Sequence, residues 1–253
     1  KVVRDADGNE TPYDKLIIAT GSSAFIPRIE GTAKQGVFVF RTLDDAKQLL
    51  ALSGSGIRAV VIGGGLLGLE AARGLQVQGC DVTVVHLAET LMERQLDPMG
   101  GEYLRRKIEN LGVRVLCGKS TQRLSGNGRV NGVCFADGED LDADLVVIAA
   151  GIKPNAEIAR TAGLLVKRGI VVSDYMETSD PDIYAVGECT EHNGQLFGLY
   201  APLVEQGKIL AAALAGNRES RFTGSVPAAK LKIMGVEVFS AGNLDDSREG
   251  SES

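Results

Sequence analysis

Tryptophan is absent from this 253-residue chain, and aromatic residues make up only 5% of it. Glycine, at 32 residues, is plentiful instead, a balance that suits an α/β protein with many tight turns. Histidine is nearly missing: His86 and His192 are the only two, too few for a histidine-based metal site. The four cysteines, Cys80, Cys117, Cys134 and Cys189, form no C-x-x-C pair and no metal-ligand spacing. Three lie in or beside apolar runs and read as small buried hydrophobes, as in a reduced, cytoplasmic protein. A net charge of −6 leaves no basic footprint for nucleic acid. No apolar run is long enough to span a bilayer, and no signal-peptide pattern is visible. The composition, 44% hydrophobic and 24% charged, is that of a globular chain with material for two modest cores.

What is present centres on one segment, Val60-Val61-Ile62-Gly63-Gly64-Gly65-Leu66-Leu67-Gly68-Leu69-Glu70. A β-branched run enters a glycine cluster and an apolar helical pattern leaves it, the context in which G-x-G-x-x-G is informative. Gly63 permits the tight turn, Gly65 lets a pyrophosphate approach the backbone, and Gly68 lets the helix pack close on the strand. Free N–H groups and the positive end of the helix dipole would then hold phosphates. A bare strand-to-helix turn with no ligand is the alternative, and the matching flanks argue against it.

Around this loop the chain reads as alternating strands and helices. Residues 13–20 form an apolar strand expected to be buried on both faces. Thr42 with Asp45 forms a capping box for a helix. Residues 58–62 are a strand, 66–78 its helix stopped by Gly79, and 81–86 a second strand. Asp97-Pro98 starts another helix that Gly112 ends, and 113–116 is a third strand. Asn127-Gly128 and Asp137-Gly138 mark an antiparallel meander. Residues 144–150, 169–173 and 183–186 are further strands, 203–214 a helix, 230–240 a last strand-like stretch, and 245–253 a polar tail expected to be disordered. The chain opens without Met at a hairpin turned by Asp7-Gly8, which suggests a piece of a longer polypeptide.

Four ordered segments resemble the pyridine nucleotide–disulfide oxidoreductase superfamily: Lys15-Leu-Ile-Ile-Ala-Thr-Gly21, the 60–70 loop, 145–155 ending Gly151-Ile-Lys-Pro-Asn155, and Thr178-Ser-Asp-Pro-Asp-Ile-Tyr-Ala-Val-Gly-Glu188. Residues 91–97, 201–207 and 230–240 further resemble the large subunits of NAD(P)H-dependent nitrite reductases. The resemblance implies a fold with two dinucleotide-binding domains, Rossmann-like, with a parallel sheet and an antiparallel meander. An NAD(P)H-binding domain at 40–150 would interrupt an FAD-binding domain split between 1–39 and 151–241, followed by the tail at 242–253. The first FAD glycine loop and the iron–sulfur and sirohaem domains of such reductases are not found in this sequence. The chain by itself is therefore expected to bind FAD weakly or not at all, and to be inactive alone. A homodimer is in keeping with such parents.

The implied activity is hydride transfer from NAD(P)H to FAD, feeding a nitrite reductase. A ferredoxin or rubredoxin reductase, or an NADH oxidase, is the alternative within the superfamily. A NAD(H)-binding sensor without turnover is the alternative outside it. No side chain presents itself as a catalytic acid, base or nucleophile, as expected where the cofactor carries the chemistry. The resemblance assigns NAD(P)H to Gly63, Gly64, Gly65, Leu66, Leu67 and Gly68. Glu70 falls near the nicotinamide end, or is simply a charge favourable to the helix N-terminus. The resemblance assigns FAD to Thr20 and Gly21, Gly187, Glu188 (where most relatives carry Asp, for the ribityl chain) and Pro202 at a helix start, and counts Gly151, where the chain leaves the NAD(P)H domain, among the cofactor-binding residues. At Thr20-Gly21 a plain turn, and at Pro202 ordinary capping, stay open as alternatives.

One position departs from the pattern. The acid that binds the adenosine ribose normally stands about twenty residues past the glycines. Here the strand ends in His86, followed by Leu87, Ala88 and Glu89. Three readings stay open: His86 meets a 2′-phosphate, His86 caps the strand in solvent, or Glu89 reaches the ribose. The coenzyme expectation leans to NADH.

Overall fold

The computed structural model describes residues 1–224 and 228–241. One compact unit takes residues 1–23 and the chain from Ile152 to the start of a C-terminal hairpin; the other takes residues 24–151 and that hairpin. The tail expected at 242–253 lies outside the described residues.

The second unit is built on a five-stranded parallel sheet in the order Val37–Val39, Leu145–Ile148, Arg58–Ile62, Asp81–Val85, Arg114–Leu116. Its strands are nearly continuous β-branched runs because both faces are covered. The two-residue alternation of a strand divides them. Val61, Val82, Val84, Leu145 and Val147 pack with Leu69, Ala72 and Leu75 of helix Leu66–Val77 and with Leu104 and Ile108 of helix Pro98–Glu109. Val60, Ile62, Val85, Val146 and Ile148 pack with Leu124, Val133 and Phe135 of a three-stranded antiparallel meander. That meander is Thr121–Ser125, Gly132–Phe135 and Asp140–Asp142, with turns at the two Gly-containing pairs singled out in the sequence. Val37–Val39 is an edge strand of the parallel sheet, so the segment from Ala24 falls with this unit rather than with residues 1–23.

Local signals behave as their chemistry dictates. Thr42 accepts a hydrogen bond from the Asp45 N–H while the Asp45 carboxylate accepts one from the Thr42 N–H, capping helix Leu43–Leu52. Asp97 caps helix Pro98–Glu109, with Pro98 at its first position. The stretch at 230–240 differs from expectation. It is two strands, Ala228–Ile233 and Val236–Ala241, joined at Met234-Gly235. Both turn residues have positive φ, +50° and +87°, the requirement of a tight hairpin turn that Asn-Gly ordinarily advertises. A methionine there carries no such signal. Burial of Met234 and Val238 in the helix-side core of the second unit holds it.

The first unit opens with the hairpin Val2–Arg4/Glu10–Pro12. Leu16–Ile18 pairs in parallel with Ile183–Ala185, and Ile170–Val172 with Thr190–His192. The strand at 13–20 is shorter than expected and is not buried on both faces, since Ile17 is 46% exposed. It has one hydrogen-bonded neighbour among the described residues. Helix Tyr200–Leu214 begins three residues before the expected start. Pro202 is tolerated in its first turn because the N–H it lacks has no intrahelical acceptor there. Ile209 and Leu210 of this helix join Ile170, Met176, Tyr184 and Phe222 in a core of their own. Cys80, Cys134 and Cys189 are buried, Cys117 is half-buried, and all four are free thiols.

Candidate functional site

The glycine loop lies between strand Arg58–Ile62 and helix Leu66–Val77. Gly63 has φ +126°, and a Cβ there would meet the Ala149 carbonyl oxygen at 2.2 Å. A Cβ on Gly68 would stand 1.9 Å from the Gly63 carbonyl oxygen, so the helix approaches the turn as only glycine allows. A Cβ on Gly65 would meet nothing within 4 Å. That glycine therefore answers to no internal contact. Gly65 is also the helix N-cap and brings no side-chain acceptor, so the first N–H groups of the helix, from Leu66 and Leu67 on, have no partner among the described residues.

Gly64 is different. Its N–H donates to His86 Nδ1 at 3.0 Å, and its carbonyl accepts from the Met92 N–H at 3.2 Å. A Cβ on Gly64 would clash with the His86 ring at 2.8 Å and with Leu91 at 2.5 Å. The middle peptide of the loop is thus held by side chain and backbone, which leaves the helix N–H groups as the free donors of the loop. Met92, at φ +56° and fully buried, sets the bend that brings its N–H there. Nothing in the sequence around Met92 signals this.

His86 does not cap its strand in solvent: its side chain is only 11% exposed. With Nδ1 accepting from Gly64, the neutral ring carries its proton on Nε2, which donates to Glu93 Oε2 at 3.0 Å. Glu93 was not among the residues the sequence singled out. Glu89 is exposed and its carboxylate lies over Gly118, 3.1 Å from where a Cβ would stand. Glu70 is exposed in the second turn of the helix, two residues beyond Gly68.

In the first unit, Gly187 has φ +93° with no atom within 4 Å of a would-be Cβ. The turn it opens is closed by Thr190, whose Oγ1 and N–H both donate to the Gly187 carbonyl, at 2.8 and 3.0 Å. Gln206, fully buried on helix Tyr200–Leu214, accepts the Gly187 N–H through Oε1 at 3.0 Å. That bond fixes the amide's orientation and leaves Gln206 Nε2 buried without an acceptor. Ser22 Oγ donates to Glu188 Oε2 at 2.9 Å. Pro202 is buried in the same helix's first turn, whose N-cap, Leu199, gives no side-chain bond. Thr20 Oγ1 donates to the Asn155 carbonyl at 2.5 Å, Asn155 Nδ2 donates to the Thr20 carbonyl at 2.9 Å, and the Asn155 N–H donates to the Gly21 carbonyl at 2.9 Å. These bonds lace together the segments beside two of the places where the chain passes between units. Gly151, at φ +123°, stands at one of them. Among the described residues no group of three acidic, histidine or cysteine side chains is arranged to hold a metal.

Known proteins are similar to this chain. The chain is 51% identical over 248 residues to a nitrite reductase [NAD(P)H] of Bacillus subtilis, covering 98% of itself and 31% of that protein. It is 38% identical to an NADH oxidase of Methanocaldococcus jannaschii, covering 94% of itself and 55% of the oxidase. The crystal structure of a FAD-dependent pyridine nucleotide-disulphide oxidoreductase from Desulfovibrio vulgaris superposes with a TM-score of 0.77 at 37% identity, over 89% of this chain and 59% of that one. The chain thus spans about a third of the nitrite reductase and little more than half of the other two. The model of one family, pyridine nucleotide-disulphide oxidoreductase, matches residues 1–214, a span that takes in both the Gly63–Gly68 loop and the Gly187–Glu188 turn, and the chain belongs to that family.

Proposed function

We propose that this chain is the electron-input part of a cytoplasmic flavoprotein that passes hydride from NAD(P)H to FAD, and that its parent is a nitrite reductase. The observation that carries the reading is the division of labour in the glycine loop. Gly63 and Gly68 are demanded by internal contacts, whereas Gly65 faces open space beside uncapped helix N–H groups. A diphosphate fits that place: it accepts from those N–H groups and takes the favourable end of the helix dipole. Gly63, Gly65, Leu66, Leu67 and Gly68 would form the pyrophosphate seat, with Gly64, His86 and Glu89 on the adenosine side and Glu70 toward the nicotinamide.

The first unit fits a flavin dinucleotide. The open space at Gly187, the uncapped helix at Pro202 and the orphaned Gln206 Nε2 are three features that internal packing leaves unexplained. Thr20, Gly21, Gly187, Glu188 and Pro202 would line that seat. The cofactors supply the redox chemistry, and the protein's part is binding and orientation. Electrons would continue to iron–sulfur and sirohaem domains of the parent, which the nitrite reductase resemblance implies, and a homodimer is in keeping with it.

The test is anaerobic mixing of the FAD-loaded parent protein with NADH. The flavin absorbance is expected to bleach and to return when nitrite is added. A flavin that stays oxidised overturns the hydride-transfer reading and leaves a binding-only sensor. Reoxidation by oxygen but not by nitrite favours the NADH oxidase reading, which the 38% identity to such an enzyme supports.

A further inference from the structure

The acidic residue that reads the adenosine ribose in dinucleotide folds stands at the end of the second strand, and this chain has His86 there. The structure shows what His86 does instead. One ring nitrogen accepts the Gly64 N–H of the glycine loop, and the other donates to Glu93. A carboxylate is therefore present beside the strand end after all, carried by the following loop and held one imidazole beyond the usual place. Glu93 is 43% exposed in its side chain, and only its Oε2 is engaged by His86. Its second oxygen remains able to accept a hydroxyl proton. The segment 87–97 holds three acids, Glu89, Glu93 and Asp97, against one cation, Arg94.

We propose that Glu93, oriented by His86, is the residue that selects the coenzyme: it accepts the adenosine ribose 2′-hydroxyl and repels a 2′-phosphate, so the site takes NADH in preference to NADPH. The proposal rests on reading Gly63–Gly68 as the dinucleotide loop. His86 is a positioning residue in this scheme. Its neutral tautomer is set by Gly64, which fixes the Nε2 proton toward Glu93 and directs the carboxylate to the loop.

The experiment is titration of the chain with NADH and with NADPH, followed by nicotinamide fluorescence or calorimetry, for the wild type and for Glu93→Gln. Gln keeps an oxygen for the His86 bond and removes the charge. The wild type is expected to bind NADH at least about tenfold more tightly, the scale of one unscreened charge repulsion at contact distance. Glu93→Gln is expected to bring the two affinities to within about threefold, mainly by tightening NADPH. A ratio unchanged in Glu93→Gln, or a wild type that binds both alike or prefers NADPH, overturns the role of Glu93 while leaving the loop a dinucleotide site. Binding of neither coenzyme overturns the loop reading and the proposal with it. Should the variant fold poorly, the salt dependence of the wild-type ratio decides: added salt must weaken the discrimination against NADPH, and a salt-independent ratio overturns the proposal.

Discussion

Two glycines of the loop make opposite demands on a methyl group. Gly68→Ala places a Cβ 1.9 Å from a backbone oxygen that cannot yield, and is expected to cost about 3 kcal/mol by overpacking, measured by urea unfolding. Gly65→Ala meets no atom and has an ordinary φ of −87°. Stability should stay within about 1 kcal/mol, while NADH affinity falls at least tenfold. An unchanged NADH affinity in Gly65→Ala would mean that Gly65 has no ligand role. Gln206→Leu removes the acceptor of the part-buried Gly187 N–H and is expected to cost about 1 kcal/mol. The glycines were legible in the sequence because each answers a local backbone need. Gln206 reads only as a polar residue on an apolar helix, since its partner lies 19 residues away.

At the level of elements, helix Leu43–Leu52 depends on its capping box, and Thr42→Ala should lower stability by about 1 kcal/mol. Strands Arg58–Ile62 and Leu145–Ile148 are tied at their entry by Arg58, which donates to Asp144 from its guanidinium and its backbone N–H. The Arg58 side chain, then its N–H, hold the Asp144 carboxyl at about 2, below its ordinary value of 3.8. A lowered acid contributes stability that is complete above its unfolded value and is lost as pH falls through its folded value. The pair is partly exposed, so its worth is discounted to about 1 kcal/mol. Asp144→Asn should thus be less stable than wild type by that amount at neutral pH, and the gap should close between pH 4 and pH 2. A gap that persists at pH 2 would show that the cost is steric. The capping box was legible as Thr42 and Asp45 at a spacing of three. The Arg58–Asp144 pair was not, because 86 residues separate the partners.

At the scale of the molecule, each unit has its own core and its own candidate seat. In the parent protein, hydrogen exchange with NADH is expected to protect residues 60–95, and exchange with FAD residues 183–206, with each ligand leaving the other segment unchanged. Protection of 183–206 by NADH would overturn the assignment of the two seats. The order of motifs along the chain led to an expectation of two domains, and the C-terminal hairpin had no part in it. That hairpin joins residues 24–151 through Met234 and Val238, and its turn is made by a residue type that ordinarily avoids positive φ.

By itself the sequence determined most strands and helices of the unit that holds the glycine loop, where that loop bends, and which family the chain resembles. These follow from side-chain periodicity and from backbone conformations that glycine, proline and capping residues impose on their immediate neighbours. Only the tertiary structure decided that Gly64 spends its N–H on His86, that His86 pairs its other ring nitrogen with Glu93, that Gln206 buttresses Gly187, and that Ile17 stands half in the open. Those pairings join residues that only folding brings together, and a hydrogen bond is decided by where its two atoms meet rather than by how far apart they lie in the chain.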